Sequence, residues 1–155
     1  MSGFREDVLN RIGERWAEMK TQLSEISANR MENSGVVGPW SVKDVVGHIT
    51  TWEREAMVAV SNYVAGRDPA SLAWKEDIYG FNLQAVEETR SKSLDELMTN
   101  LDQAHEELLD WMTSLPDDAL RVDGVTKRID EDTHNHYAEH TASIRKWLGA
   151  EAERS

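Results

Sequence analysis

Hydrophobic side chains recur every three or four residues along most of the chain, which is the spacing of helices with one buried face. The first such stretch runs from about Gly3 to Arg30, and polar residues fill its other positions. Its apolar positions are Phe4, Val8, Ile12, Trp16, Met19, Leu23 and Ile26. A turn signal follows at residues 33–35. The pattern therefore predicts a long first helix that ends before this turn.

A second helix has clear start and stop signals. Ser41 can cap its first turn, Asp44 falls at the third helical position, and Gly66 can end it. The apolar stripe in between consists of Val42, Val45, Val46, Ile49, Trp52, Ala56, Ala59, Val60 and Tyr63. We therefore predict a helix that starts after Ser41 and ends at Gly66.

The pattern is less regular between residues 67 and 92. Asp68-Pro69 is a candidate helix start, and Gly80 interrupts the pattern. The residues from Phe81 to Thr89 predict either a short helix or the first part of the next long one. This part of the chain connects the second long helix to the third.

Two further long helices are predicted in the second half of the chain. Residues Ser93 to Glu96 form a capping box that starts one of them, and Pro116 stops it. Residues 117–128 are expected to be a polar connection. The last helix then spans about Ile129 to Leu148 and ends at Gly149.

Four helices of about 20 residues, with short connections and no strand-like alternation, indicate an all-α four-helix bundle. The 155 residues are enough for one domain with a buried core, so we assign residues 1–155 to a single domain. No uncharged apolar run reaches the roughly 18 residues that would suggest a membrane span, and the start has no apolar leader segment. We therefore expect a cytoplasmic protein without a membrane partner.

Charge and cysteine content exclude several classes of function. The chain has 29 acidic and 17 basic residues and a net charge of −12. Nucleic-acid binding requires a basic surface, and an anionic membrane surface repels an acidic protein, so neither is an expected partner. The chain has no cysteine, which excludes disulfides, thiolate ligands and a cysteine nucleophile. Any metal must therefore be held by imidazole, carboxylate or water.

Two histidines of the last helix indicate a metal site. His136 and His140 lie four residues apart, which places them one above the other on the apolar face of that helix. A buried imidazole needs partners for one donor and one acceptor nitrogen, and a shared metal would bind both rings at once. Helical zinc sites use the same spacing. The alternative is that the two rings are ordinary core residues held by hydrogen bonds.

The pattern leaves two histidines as candidates for a third ligand. His48 lies at the edge of the apolar stripe of the second helix, and His105 follows Leu101 by one turn. Either can face the interior of the bundle. The fifth histidine, His134, lies on another side of the last helix from His136, so we expect it at the surface.

Four segments of the chain resemble the DinB/YfiT-like family of metal-binding four-helix bundles. The segment 38–49 with Trp52 and Glu53 resembles the entry to that family's second helix, and residues 136–140 resemble its last-helix motif. Residues 77–82 and 93–96 are also similar to family members. The resemblance implies that His48, His136 and His140 are the metal ligands, and it makes a homodimer plausible. It also implies chemistry with low-molecular-weight thiols, because characterised relatives include mycothiol-dependent maleylpyruvate isomerase and bacillithiol S-transferases.

Three imidazoles leave coordination positions open, which is typical of a catalytic metal site. Imidazole ligation favours a divalent transition metal, with zinc or nickel first and iron or cobalt as alternatives. We therefore expect a metal-dependent transferase or hydrolase that acts on a small molecule, with a low-molecular-weight thiol as a candidate cosubstrate. Asp44, Asp132 and Glu139 are candidates to orient the imidazoles, or else cap helices or face solvent.

Two other functions are compatible with the sequence. The bundle could hold a small toxic molecule in its cavity without catalysis; the resemblance includes four-helix proteins that protect cells from their own toxic metabolites. It could also be a structural helical module, with histidines held by hydrogen bonds and apolar faces that drive dimerisation. Neither of these needs the metal.

Overall fold

Four long helices carry the fold of this protein. A computed structural model describes residues 3–67 and 73–154, and within them the chain is helical with no β-strand. The long helices are α1 (Phe4–Ser24), α2 (Val42–Val64), α4 (Leu94–Ser114) and α7 (His134–Arg154). Shorter elements lie between them, namely a 3-10 helix (Ala73–Lys75), α3 (Ile78–Thr89), α5 (Asp117–Leu120) and α6 (Asp123–Asp132). The all-α prediction is confirmed.

The long helices pack as two main pairs. α2 packs mainly on α4 and α1 mainly on α7, with smaller contacts between α2 and α7 and between α1 and α4. α6 lies against both α2 and α7, and α3 lies against α2. The apolar stripes predicted from the sequence meet in the middle, where Ile12, Val46, Leu101, Met112 and Ile144 are at most 1% exposed.

The cap at the start of α2 fixes where that helix begins. The Asp44 amide donates to Ser41 Oγ, and the Ser41 amide donates to Asp44 Oδ2, both at 3.1 Å. This capping box satisfies two amides that would otherwise lack partners. Gly66 follows the helix at a φ of 71°, a conformation that glycine adopts without strain. Both predicted boundaries are therefore close to the observed ones.

Several predicted boundaries differ from the observed ones. α1 ends at Ser24 and is followed by turns rather than continuing to residue 30. α3 begins at Ile78, because Asp77 caps it by accepting from the Gly80 amide at 2.9 Å. Residues 117–128, expected as a connection, contain α5 and the first half of α6. The predicted start at residues 68 and 69 lies outside the described residues.

The expected last helix is two helices. α6 ends at Asp132, Thr133 adopts φ −118° and ψ −104°, and α7 starts at His134. The apolar spacing runs through this break without a change of phase, so the sequence pattern does not reveal it. Gly149 does not end α7, which continues to Arg154. Among the described residues, no helix is long and apolar enough to span a membrane.

Two helical glycines should respond differently to alanine. A Cβ at Gly13 would meet no atom within 4 Å, whereas a Cβ at Gly47 would lie 3.0 Å from Thr89 Oγ1. We expect Gly13→Ala to raise the free energy of unfolding by about 0.5–1 kcal/mol, because alanine is the better helix former. Gly47→Ala should gain less or destabilise the fold, because the Thr89 side chain must move. Urea denaturation of both variants measures the difference, and equal gains would contradict the close approach of α2 and α3.

Candidate metal centre

Three histidine side chains converge between α2 and α7. His136 Nε2 lies 3.0 Å from His48 Nε2 and 2.9 Å from His140 Nε2. The rings are buried, with 5–9% of each residue exposed. The structure thus brings together the three residues that the sequence singled out. In the part of the chain that the structure describes, they form a group that could hold a metal ion.

Local structure accounts for this convergence. The capping box fixes the first turn of α2, and His48 lies on the second turn, seven residues after Ser41. On α7, His136 and His140 are one turn apart and share a face. The new helix that begins at His134 carries both rings in its first two turns.

The three nitrogens fit a metal better than they fit one another. A neutral imidazole nitrogen either donates one hydrogen or accepts one, so His136 Nε2 cannot make good hydrogen bonds to both His48 and His140. Two bonds of about 2.1 Å to a common ion, at roughly a right angle, would place their nitrogens about 3 Å apart, as observed here. All three lone pairs could then point at one ion. The residues present therefore fit a divalent transition metal.

Burial keeps the three imidazoles neutral. Loss of hydration lowers the pKa of His48 to about 3, that of His136 to about 2 and that of His140 to about 4. Repulsion from His140 lowers the pKa values of His48 and His136 further, and the nearby Arg128 lowers that of His136. Metal binding requires neutral imidazole, so the site is in its binding form at neutral pH.

A cleft of about 410 Å³ opens onto the histidines. Its walls come from the loop before α2 and from α2, α3, α6 and α7. Besides the three histidines, its polar and aromatic lining includes Trp40, Trp52, Asn82, Arg128, Asp132 and Glu139. A small molecule can therefore reach the side of the cluster that faces this cleft.

One wall of the cleft is an anchored arginine. The Arg128 guanidinium lies over the Trp52 and Trp74 rings, 5.9 and 5.2 Å from their centroids. Its Nη2 atom donates to Asp132 Oδ1 at 2.5 Å. Asp132 Oδ2 has no hydrogen-bond partner among the described residues. Burial raises the pKa of Asp132 to about 6, although Arg128 opposes the rise.

The three carboxylates proposed to orient the imidazoles have other surroundings. Asp44 closes the capping box, and its Oδ1 atom lies 3.6 Å from Arg90 Nε. It therefore caps α2, which was the alternative predicted for it. Asp132 is paired with Arg128, and Glu139 is an exposed residue at the cleft. Within the described part of the chain, the Nδ1 atoms of His136 and His140 have no hydrogen-bond partner.

The two other histidines lie outside the cluster. His105 is buried in the bundle, where its ring stacks on Trp16 at a centroid distance of 3.6 Å. His134, expected at the surface, is only 9% exposed, and its Nε2 atom lies 2.8 Å from Asp130 Oδ1. The surface prediction for His134 is wrong because α6, which the sequence pattern merged with α7, supplies a partner.

A buried polar contact next to the histidines was not predicted. Tyr137, adjacent to His136, donates its hydroxyl hydrogen to Glu53 Oε1 at 2.7 Å, and neither residue is exposed to solvent. Burial and the charge of Glu53 raise the pKa of Tyr137 well above 10, so the phenol remains a donor. The sequence does indicate that Glu53 is buried, because this residue lies four residues after Ile49 and three before Ala56 on the apolar face of α2.

Acid should destabilise the metal-free protein. Because the pKa values of His48, His136 and His140 are lower in the folded state than the ordinary 6.5, the unfolded state binds more protons. The destabilisation begins as the pH falls below about 6.5, and it grows until the pH reaches the folded-state pKa values of about 4 for His140, 3 for His48 and 2 for His136. At about pH 5.5, we expect each ring to lower the free energy of unfolding by about 1.4 kcal/mol, or about 4 kcal/mol in total.

Urea denaturation in the presence of a chelator, at pH values from about 7.5 down to 5.5, measures this loss. Asp132 opposes it slightly, because its raised pKa stabilises the fold as the pH falls. A variant with glutamine at all three histidine positions should lose most of the pH dependence. An equally steep dependence in that variant would show that other groups cause it.

Comparisons with known proteins agree with this architecture. The sequence profile of the DinB superfamily matches residues 11–143. An uncharacterised protein from Escherichia coli UTI89 shares the fold with a TM-score of 0.79 at 16% identity, over 96% of this chain and 94% of that one. The Sibling Lethal Factor Precursor DfsB also shares the fold, with a TM-score of 0.83 at 16% identity. The match covers 97% of this chain and 98% of that one. No curated protein matches the sequence. Since the profile match spans most of the chain, this protein belongs to the DinB superfamily.

Proposed function

We propose that this protein is a metal-dependent enzyme, a transferase or hydrolase that acts on a small molecule in the cleft above the three histidines. The observation that carries the proposal is the convergence of three buried, neutral imidazoles at a cleft open to solvent. A site closed on all sides would favour a structural metal, whereas this one leaves room for a ligand.

The donor set favours particular metals. Three imidazole nitrogens suit zinc or nickel, and iron or cobalt after them, whereas magnesium and calcium prefer oxygen ligands. The imidazoles add no charge of their own, so the ion would keep its full positive charge next to the substrate. When bound, such an ion supplies Lewis acidity, which polarises a substrate and favours the deprotonated form of a nucleophile.

Contacts within the cleft hold several of its side chains in fixed positions beside the proposed metal site. Trp52 is held by a hydrogen bond from its Nε1 atom to Asn82 Oδ1 at 2.8 Å, so its ring forms a fixed apolar wall. Arg128 is fixed by the two tryptophan rings and by Asp132. Asp132 Oδ2 can hold a proton close to neutral pH, because burial raises the pKa of this carboxyl to about 6.

A sulfur nucleophile would have to come from outside the chain. The protein has no cysteine, so transfer chemistry on sulfur requires a low-molecular-weight thiol as cosubstrate. The cleft of about 410 Å³ has room for a small molecule next to the histidines. Hydrolysis needs no such cosubstrate, and the two reaction classes therefore differ in whether a thiol binds at the site.

Metal content tests the ligand assignment directly. We expect untagged wild-type protein to carry about one divalent transition metal per chain by elemental analysis, and His136→Gln to carry almost none, because two remaining imidazoles bind weakly. The matched control is His134→Gln. It changes a buried histidine two residues away whose ring contacts Asp130 instead. A full metal content in His136→Gln, or an equal loss in both variants, would contradict the assignment.

Cobalt substitution tests the thiol cosubstrate. In protein loaded with Co²⁺, a thiol that binds the ion should add an intense sulfur-to-metal absorption band, because thiolate is a soft ligand for transition metals. We expect this band with a small thiol such as cysteine and not with serine, which differs only in oxygen for sulfur. An unchanged spectrum at saturating thiol would rule out direct coordination of the thiol and favour the hydrolase.

A further inference from the structure

A second buried polar cluster joins the four long helices beside the histidines. Trp16 comes from α1, Glu53 from α2, His105 from α4 and Tyr137 from α7. Tyr137 donates to Glu53 Oε1 at 2.7 Å, and His105 Nδ1 lies 3.3 Å from the Tyr137 hydroxyl and 3.7 Å from Glu53 Oε1. The His105 ring stacks on Trp16 with an angle of 2° between the planes.

The hydrogens in this cluster can be assigned from its chemistry. Tyr137 has one hydroxyl hydrogen, and Glu53 can only accept as a carboxylate, so that hydrogen lies between the two. His105 must then donate from Nδ1 if it is to bond the tyrosine oxygen. The hydrogen bonds therefore run in one direction, from His105 to Tyr137 and from Tyr137 to Glu53. Each of them joins two different helices. Such bonds fix relative positions, whereas apolar surfaces can slide past one another.

Stability alone does not explain the cluster. Glu53 is fully buried, and its Oε2 atom has no hydrogen-bond partner among the residues described. Removing a charge from water costs several kcal/mol, so an apolar replacement of a buried ionic group is often neutral or stabilising. Stability is therefore a weak explanation for a carboxyl group at this point of the core.

The cluster joins two helices that are not each other's main packing partners. α2 packs mainly on α4, and α7 mainly on α1, so direct contact between α2 and α7 is limited. Yet the histidine cluster is divided between α2 and α7. A rotation of α7 by about 10° would move a histidine nitrogen by roughly 1 Å, given a helix radius of 5–6 Å with side chains. Metal–ligand distances tolerate only about 0.2 Å.

We propose that Glu53 and Tyr137 are positioning residues for the metal centre, which set the rotation of α7 relative to α2. The inference rests on the proposed function, since it assumes that a metal binds the three histidines. Tyr137 directly follows His136, and Glu53 lies five residues after His48. The hydrogen bond between them therefore ties together the same two helices that supply the ligands. His105 contacts the tyrosine hydroxyl from α4, and Trp16 of α1 stacks on the His105 ring.

Zinc affinity, measured by competition with a chromophoric chelator, tests the proposal. Tyr137→Phe removes only the hydroxyl, and we expect it to weaken zinc binding by roughly tenfold or more, as loss of an outer contact to a metal site typically does. Glu53→Gln keeps an oxygen that can accept from Tyr137, so its zinc affinity should lie within about threefold of that of the wild type. Thr141→Val is the matched control. It removes a buried hydroxyl one residue from His140 that bonds only within α7.

The double variant Glu53→Leu/Tyr137→Phe separates positioning from stability. It replaces the polar pair by apolar groups but leaves His105 Nδ1 without a partner, so we expect the metal-free protein to stay folded, with a urea midpoint at or above that of Tyr137→Phe. Zinc binding should nevertheless be at least roughly tenfold weaker, and the visible spectrum of the Co²⁺ form should change with the coordination geometry.

Two results would overturn the inference in different ways. If the wild type and the double variant bind zinc equally well, Glu53 and Tyr137 do not position the site, while the metal-binding function stands. If the wild type binds no zinc, both the function and the inference fail. If Tyr137→Phe does not fold, the double variant, which also removes the buried carboxylate, still decides between these outcomes.

Discussion

The burial of polar groups between α2 and α7 is the constraint on which the rest of this structure depends. Polar groups buried there need partners, because little solvent reaches them. Two polar contacts cross between these helices, one between His48 and His136 and one between Glu53 and Tyr137. The apolar stripes of α1 and α4 can accommodate small shifts, but these contacts cannot. The bundle is therefore held most tightly where its chemistry lies.

Helix caps and apolar spacing determine much of this arrangement, which is why the sequence predicts it. The long helices α2 and α4 begin where the capping residues Ser41 and Ser93 indicate. The spacing of His136 and His140 places both rings on one buried face, and family resemblance selects His48 over His105 as their partner. The caps and the His136–His140 spacing depend on residues close together in the chain, so local rules suffice to find them, whereas the choice of His48 needed the resemblance.

The features that the sequence did not predict are a helix break and side-chain pairings, which apolar spacing does not encode. Thr133 breaks the last helix without a change in apolar phase, so only the structure reveals α6 as a separate element. His134 is buried because Asp130 of that helix meets it. The partner of Glu53 is 84 residues away. Helical spacing tells which face a residue occupies, but it does not tell which side chain lies opposite.

The break at Thr133 also separates two tasks that one continuous helix would have to combine. α7 supplies two of the three histidines, whereas α6 supplies Arg128 and Asp132 to the wall of the cleft. Substitutions in α6 can therefore change which molecules fit the cleft without moving the histidines. A chain built in this way can change the wall of its cleft in small steps while the histidine cluster stays the same. Divergence of function within one scaffold then requires no change in the core.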